Sequence, residues 1–155
     1  MTNPVTICID EGQLILHGLA QFFIQILERR KFDRLSHLLD TLAFNQVIIF
    51  VNKAERAKRL TDMLRSKLFN PICIHSALSQ EERIKNYDLF KANGSRLLVA
   101  TDLFGRGIDI ERVNLVINYD FPYDRETYLH RVGRAGRFGT KGMAVNFIRK
   151  AEGEG

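Results

Sequence analysis

Gln46-Val47-Ile48-Ile49-Phe50-Val51 is the run on which the fold turns. A half-exposed strand alternates apolar and polar residues, whereas this run is apolar at odd and even positions alike and rich in β-branched side chains. It therefore reads as a strand buried on both faces, which is the signature of a parallel sheet sandwiched between helices. Working outward, Asn52 with Glu55 reads as a capping pair, and Ala57, Leu60, Leu64 and Leu68 continue at helical spacing. Upstream, Phe32, Leu35, Leu38, Leu39 and Leu42 form a second helical stripe, preceded by an apolar strand candidate from Phe22 to Leu27.

The alternation continues in both directions. Pro71 to His75 reads as a strand, Ser79 with Glu82 as a capping box, and Ile84, Tyr87 and Phe90 as the inward face of a helix stopped by Asn93-Gly94. Strands are then expected at Arg96–Thr101, Leu115–Tyr119 and Met143–Ile148, with a helix from about Asp124. Near the start, Val5, Ile7 and Ile9 alternate as a short half-exposed strand. Strands and helices in this order imply right-handed crossovers in an α/β fold with a mainly parallel sheet. Ligands of such sheets bind at the carboxyl ends of the strands, where His75-Ser76, Thr101-Asp102 and Asp120 fall.

No linker or repeat divides the 155 residues, so one domain is expected over 1–155, with 1–20 as an entry or linker segment within it. A chain that is 45% hydrophobic can bury a core unaided. Cys8 and Cys73 show neither metal-ligand nor disulfide spacing, which points to no metal site and a reducing, intracellular compartment. No apolar run approaches a membrane span, and a monomer without membrane contact is expected. The net charge of +5 permits a polyanionic partner, and its distribution is suggestive. Between Thr127 and Ala151 there is no Asp or Glu, while Arg131, Arg134, Arg137, Lys141, Arg149 and Lys150 all lie there.

Three constellations carry chemistry. In His130-Arg131-Val132-Gly133-Arg134-Ala135-Gly136-Arg137-Phe138-Gly139, arginines at every third position project from overlapping sectors, and the intervening glycines leave bare backbone. Guanidinium forks so spaced suit phosphate oxygens; the alternative is a solvated basic helix end. In Thr101-Asp102-Leu103-Phe104-Gly105-Arg106-Gly107-Ile108-Asp109, hydroxyl, backbone N–H and guanidinium groups follow a strand, as a sugar-phosphate cradle or as an ordinary βα turn. In Gln80-Glu81-Glu82-Arg83 a helix N-terminus stands beside a cation; a plain capping box with a surface arginine is the better reading there.

Taken together with Phe50 in IIFVN, these stretches resemble, in order and spacing, the C-terminal motifs of DEAD-box RNA helicases over about Leu14 to Ile148. His130 at the head of the last motif resembles the DEAD-box branch, and LILHGLAQFF, FNQVIIFV, LFGRGIDIERVN and TYLHRVGRAGRFGTKG resemble its splicing and mRNA-export subfamily. The resemblance implies a RecA-like three-layer α/β/α domain. It implies that Arg134 and Arg137 reach the γ-phosphate of ATP as arginine fingers, that Asp109 binds the nucleotide ribose, and that His130 couples two domains. It implies that Arg83, Thr101, Arg106 and Gly107 contact the RNA backbone without reading bases.

No GxxxxGK[ST] phosphate loop, Asp-Glu-Ala-Asp or Ser-Ala-Thr occurs in the sequence, so ATP and Mg²⁺ are expected to be held mainly by an N-terminal RecA-like partner domain, without which this chain is inactive. The resemblance further implies a nuclear location and, as partners, mRNA-export adaptor and transcription-export complex proteins. Two alternatives stay open: a non-enzymatic RNA-binding or adaptor module, and a DEAD-box helicase of ribosome assembly.

Overall fold

A computed structural model of the chain describes residues 19–102, 110, 112–133 and 142–151. Among the described residues six strands, β1 (Leu19–Leu27), β2 (Gln46–Phe50), β3 (Ile72–Ile74), β4 (Leu97–Ala100), β5 (Val113–Asn118) and β6 (Gly142–Lys150), form one sheet in the order β1-β6-β5-β2-β4-β3. Every pairing is parallel. Four α-helices accompany it: α1 (Lys31–Thr41), α2 (Ala54–Ser66), α3 (Gln80–Lys91) and α4 (Arg125–Val132).

The apolar run that opened the sequence reading is the central strand, and its two faces feed two cores. Val47, Ile49 and Val51 pack with Leu35 and Leu39 of α1 and Ala57, Leu60 and Leu64 of α2. Ile48 and Phe50 pack on the other side with Phe90 of α3 and Tyr128 and Val132 of α4. The three-layer α/β/α architecture of a RecA-like domain follows from this alternation, because each face of the buried sheet needs its own helices.

The structure departs from the sequence expectations in several places. β1 begins at Leu19 rather than Phe22, because β6 pairs with it along its whole length, from Leu19↔Gly142 to Leu27↔Lys150. Asn52 and Glu55 do not cap α2: Lys53 occupies the N-cap position without a side-chain bond, and the Asn52 side chain is engaged elsewhere. Ile84 is 50% exposed, because α3 turns Arg83, Asn86, Tyr87 and Phe90 inward, a stripe at helical spacing that begins with two polar residues. Leu68 lies beyond the end of α2 and is 93% exposed instead of extending its apolar face. The sheet, expected to be mainly parallel, bears this out and is wholly parallel among the described residues. The strand expected at Val5–Ile9 lies outside the described residues.

Leu68 shows why it cannot pack. α2 closes with a hydrogen bond from the Phe69 N–H to the Leu64 carbonyl at 3.0 Å and another from Leu68 to Arg65 at 2.9 Å, which places Leu68 in the left-handed region at φ 70°. α3 ends on the same motif, with Gly94 bonding Leu89 and Asn93 bonding Phe90, but there the left-handed residue is Asn93, at φ 69°. Asparagine tolerates that conformation, whereas leucine is disfavoured by about 1–2 kcal/mol. Leu68→Gly is expected to stabilise the fold by about 0.5–1 kcal/mol, the relieved strain being partly offset by the greater freedom of glycine in the unfolded chain. Urea denaturation checks this, and an unchanged or lower midpoint would contradict it.

Candidate functional site

Where the strands end, polar side chains converge on one arginine. Asp124 caps α4 by accepting from the Thr127 N–H at 2.7 Å, and the helix then turns Tyr128, Arg131 and Val132 inward. Arg131 is 1% exposed. Its Nε and one Nη2 hydrogen go to the two carboxylate oxygens of Asp102, at 2.7 and 2.6 Å. Its Nη1 donates to Asn118 Oδ1 at 3.0 Å and to the Asp120 carbonyl at 2.7 Å, and Nη2 also donates to Asn52 Oδ1. All five guanidinium donors are thus used, and the plane lies 5.1 Å over the Phe50 ring. The residues after β2, β4 and β5 and the helix α4 meet at this one side chain.

A second cluster shares Asp120. Its carboxylate accepts from the buried Lys31 Nζ at 3.1 Å, from the Asn52 N–H at 3.0 Å and from Arg56, whose Nε stands at 2.7 Å. Glu28 closes the cluster, with Lys31 at 3.0 Å and Arg56 at 2.9 Å. Burial by itself raises the pKa of Asp120, but hydrogen bonds from Arg56 and the Asn52 N–H, with the charges of Lys31 and Arg56, outweigh it and hold the carboxyl below its ordinary value. Glu28 is lowered in the same way against the same opposing burial. The hydrogen bond from Arg56 to Asp120 contributes most to raising the Arg56 pKa further still. Tyr119, buried beside this cluster, is pushed up to about 12 by burial first and by Glu28 second.

The sequence-predicted site residues fall into two groups. Arg106, Gly107, Asp109, Arg134 and Arg137 lie outside the described residues. His130 is exposed on the last turn of α4, away from its buried neighbours. Thr101 follows β4 and is 4% exposed; its N–H bonds the Ile74 carbonyl, while its hydroxyl has no partner among the described residues. Arg83 braces the loop between β3 and α3, its Nε donating to the Leu78 carbonyl at 3.1 Å and its Nη2 to Ser76 at 3.3 Å. The N-terminus of α3 is closed by its own box, Ser79 and Glu82 bonding each other's backbone N–H, as the sequence indicated.

One grouping needs correction. Arg131 does not face an anion, because burial and five internal bonds leave it no donor for a ligand. Sequence reading missed its partners Asn52 and Asn118; the signal that could have found the second is that Asn118, like Asn146, is an amide inside an otherwise apolar strand. Gly133, at the end of α4, is in contact with its own helix: a Cβ there would lie 2.9 Å from the Leu129 carbonyl oxygen. Among the described residues no group of three or more His, Cys, Asp or Glu is placed to hold a metal ion, and no helix is long and apolar enough to cross a membrane.

Residues 30–139 match the helicase conserved C-terminal domain. The chain is 55% identical over 155 residues to the ATP-dependent RNA helicase sub2 of Neosartorya fischeri, a match that covers 99% of this chain and 35% of that protein. It is 57% identical over 152 residues to the DEAD-box ATP-dependent RNA helicase 15 of Arabidopsis thaliana, covering 97% and 36%. Its structure is similar to that of S. cerevisiae Dbp5 bound to RNA and ADP BeF3, with TM-score 0.80, 34% identity, and 91% and 39% of the two chains covered. It is also similar to the C-terminal domain of the DEAD-box protein Dbp5, with TM-score 0.73, 36% identity, and 83% and 74% covered. The chain therefore spans only 35% or 36% of the length of these curated relatives.

The Asp120 cluster predicts a pH signature. Asp120→Asn removes one anion from beside buried Lys31 and is expected to cost about 3–5 kcal/mol at neutral pH. The lowered folded-state pKa means that this contribution is fully present above the ordinary aspartate value of about 3.9 and is lost as pH falls through the folded value. The stability gap between wild type and variant should therefore be constant from pH 5 to 7 and narrow in stronger acid. Denaturant titrations across pH measure it, and a gap that widens on acidification would refute the assignment.

Proposed function

Because this chain belongs to the helicase conserved C-terminal domain family of DEAD-box RNA helicases, we propose that it is the second RecA-like domain of an ATP-dependent RNA helicase acting in pre-mRNA splicing and mRNA export. The observation that carries this reading furthest is the Arg131 clamp, which sets the point where the chain leaves α4 beside Thr101-Asp102, at the carboxyl edge of the sheet. Arg134 and Arg137 follow that point directly in sequence, and in this reading they stabilise negative charge on the transferred phosphoryl group. Asp109 accepts from the ribose, and His130, exposed at the end of α4, meets the partner domain. ATP, when bound, supplies the phosphoryl group. Its phosphates and Mg²⁺ are held mainly by the N-terminal RecA-like domain, since this sequence carries neither a GxxxxGK[ST] phosphate loop nor an Asp-Glu-Ala-Asp tetrad. Alone, it hydrolyses no ATP.

On the RNA side, Thr101 has a buried hydroxyl without a described partner, a state that costs about 1–3 kcal/mol unless something bonds it. A phosphate or 2′-hydroxyl oxygen would satisfy it. Arg83 uses two of its donors on loop carbonyls and keeps others for a backbone phosphate. With Arg106 and Gly107 these groups make sequence-independent contacts, so affinity should fall steeply with salt and differ little among homopolymers. A filter-binding series across salt and sequence checks this; a marked base preference would count against it. Export adaptors and transcription-export complex proteins, and a nuclear location, belong to the same reading.

The central test uses Arg134→Lys and Arg137→Lys in the full-length protein. Lysine keeps the charge but loses the planar fork, so each variant should lose at least about tenfold in kcat with a smaller change in ATP affinity and little change in Tm. Unchanged kcat in both variants would remove the arginine-finger assignment. An adaptor that has lost catalysis would instead show no ATP turnover even in the unsubstituted full-length protein.

A further inference from the structure

Arg131 is the first member of a longer chain of side chains that runs through the interior of the sheet. It donates to Asn118 Oδ1 at 3.0 Å; Asn118 Nδ2 donates to Asn146 Oδ1 at 2.6 Å; Asn146 Nδ2 donates to the Tyr128 hydroxyl at 3.3 Å; and that hydroxyl donates to Gln21 Oε1 at 2.6 Å. The other Asn146 hydrogen goes to the Phe22 carbonyl at 2.9 Å. Asn118 and Asn146 are fully buried and are directly opposite one another in the β5–β6 register. Because arginine can only donate, it dictates the direction of every bond after it: each amide must present oxygen toward Arg131 and nitrogen away. Bonds aligned head to tail polarise one another, so the chain holds its members more firmly than separate pairs would.

The chain begins on α4 and returns to it at Tyr128 before ending on Gln21 of β1. Tyr128 and Arg131 are three residues apart on α4, and both feed into the Asn118–Asn146 pair, one from each end. Apolar contacts from Val132 and the Tyr128 ring would dock α4 but permit rotation and sliding, since such contacts have no direction. Two hydrogen-bonded anchors one turn apart remove that freedom. An apolar pair in place of two buried amides would dock the helix as well and need no partners, so the polar pair makes sense as an aiming device.

We propose that Asn118, Asn146 and Tyr128 are positioning residues that set the angle of α4 and thereby aim the arginine-bearing stretch after it at the phosphate. This rests on the reading of Arg134 and Arg137 given above. Gln21, near the start of β1, ties the same setting to the strand through which the chain enters the sheet.

Two readouts test it. In this chain, hydrogen exchange at the Arg131 Nε–H, followed by nitrogen-detected NMR, reports how firmly the guanidinium is held. In the full-length protein, kcat and the KM for ATP report the consequence. Asn146→Leu breaks the chain in the middle. It should speed Arg131 exchange at least tenfold and lower kcat about five- to tenfold, with KM within twofold. Tyr128→Phe keeps the ring and its contacts with Phe23 and Phe121 but deletes the hydroxyl, and should move both readouts the same way by about two- to threefold. Leu64→Ala, in the core under α2 on the opposite face, serves as a destabilised control; it should lower Tm while leaving Arg131 exchange and kcat at wild-type values. Unchanged Arg131 exchange in both chain variants overturns the proposal, and so does a kcat loss no greater than that of Leu64→Ala at matched Tm. If Arg134→Lys and Arg137→Lys are also silent, the phosphate-directed reading fails instead, while Arg131 exchange still reports whether the chain holds the helix.

Discussion

A buried guanidinium is tolerable only when every N–H has an acceptor, and the architecture of the functional edge follows from meeting that condition at Arg131. Five acceptors must come from different parts of the chain: the Asp102 carboxylate after β4, Asn118 at the end of β5, the Asp120 carbonyl beyond it, and Asn52 after β2. Once those groups are committed, the ends of three strands and the pose of α4 are no longer independent. A buried ion pair of this kind adds little net stability over an apolar substitute, but breaking it from one side strands the other charge. What it contributes is geometry.

The apolar core and the polar edge divide the work. Two layers of side chains on the sheet hold the helices in place, and neither core involves a residue assigned to ligand chemistry. Polar groups gather at the carboxyl ends of the strands because there the backbone carbonyls and loop N–H groups are free of the ladder and can meet side chains and ligands. The Glu28–Lys31–Arg56–Asp120 cluster shows the same economy: two carboxylates and two cations neutralise each other, and Asp120 joins them to the Arg131 clamp through the Asn52 backbone.

Sequence spacing alone did not decide the fate of Arg131. Spacing by three residues suggests a shared face, but a helix that packs on a sheet must turn one side inward, and Arg131 lies on that side with Tyr128 and Val132. Its charge serves the protein itself. His130, one position earlier, faces out. Arg83 likewise spends donors on the protein itself, bracing the loop before α3 through the Leu78 and Ser76 carbonyls.

Much of this protein was legible in its sequence. The unbroken apolar run at Gln46–Val51 has no explanation but burial on both faces, and its alternation with helical stripes leaves few topologies besides a parallel three-layer fold. The capping box of Ser79 and Glu82 and the stop at Asn93-Gly94 were equally plain, since both are made of bonds between residues a few positions apart. The motifs that resemble helicases were visible as ordered strings. The partners of polar groups distant in sequence were hidden. Nothing local in Asn52 reveals that its oxygen is taken by Arg131, 79 positions away, or in Lys31 that it meets Asp120 across 89. Periodicity reports which side of a helix is apolar, so it misplaced Ile84 and could not anticipate an inward stripe beginning with Arg83 and Asn86. Local bonds and burial patterns are written in the order of residues, whereas the choice of which buried polar group answers which other is made only when the strands have been laid side by side.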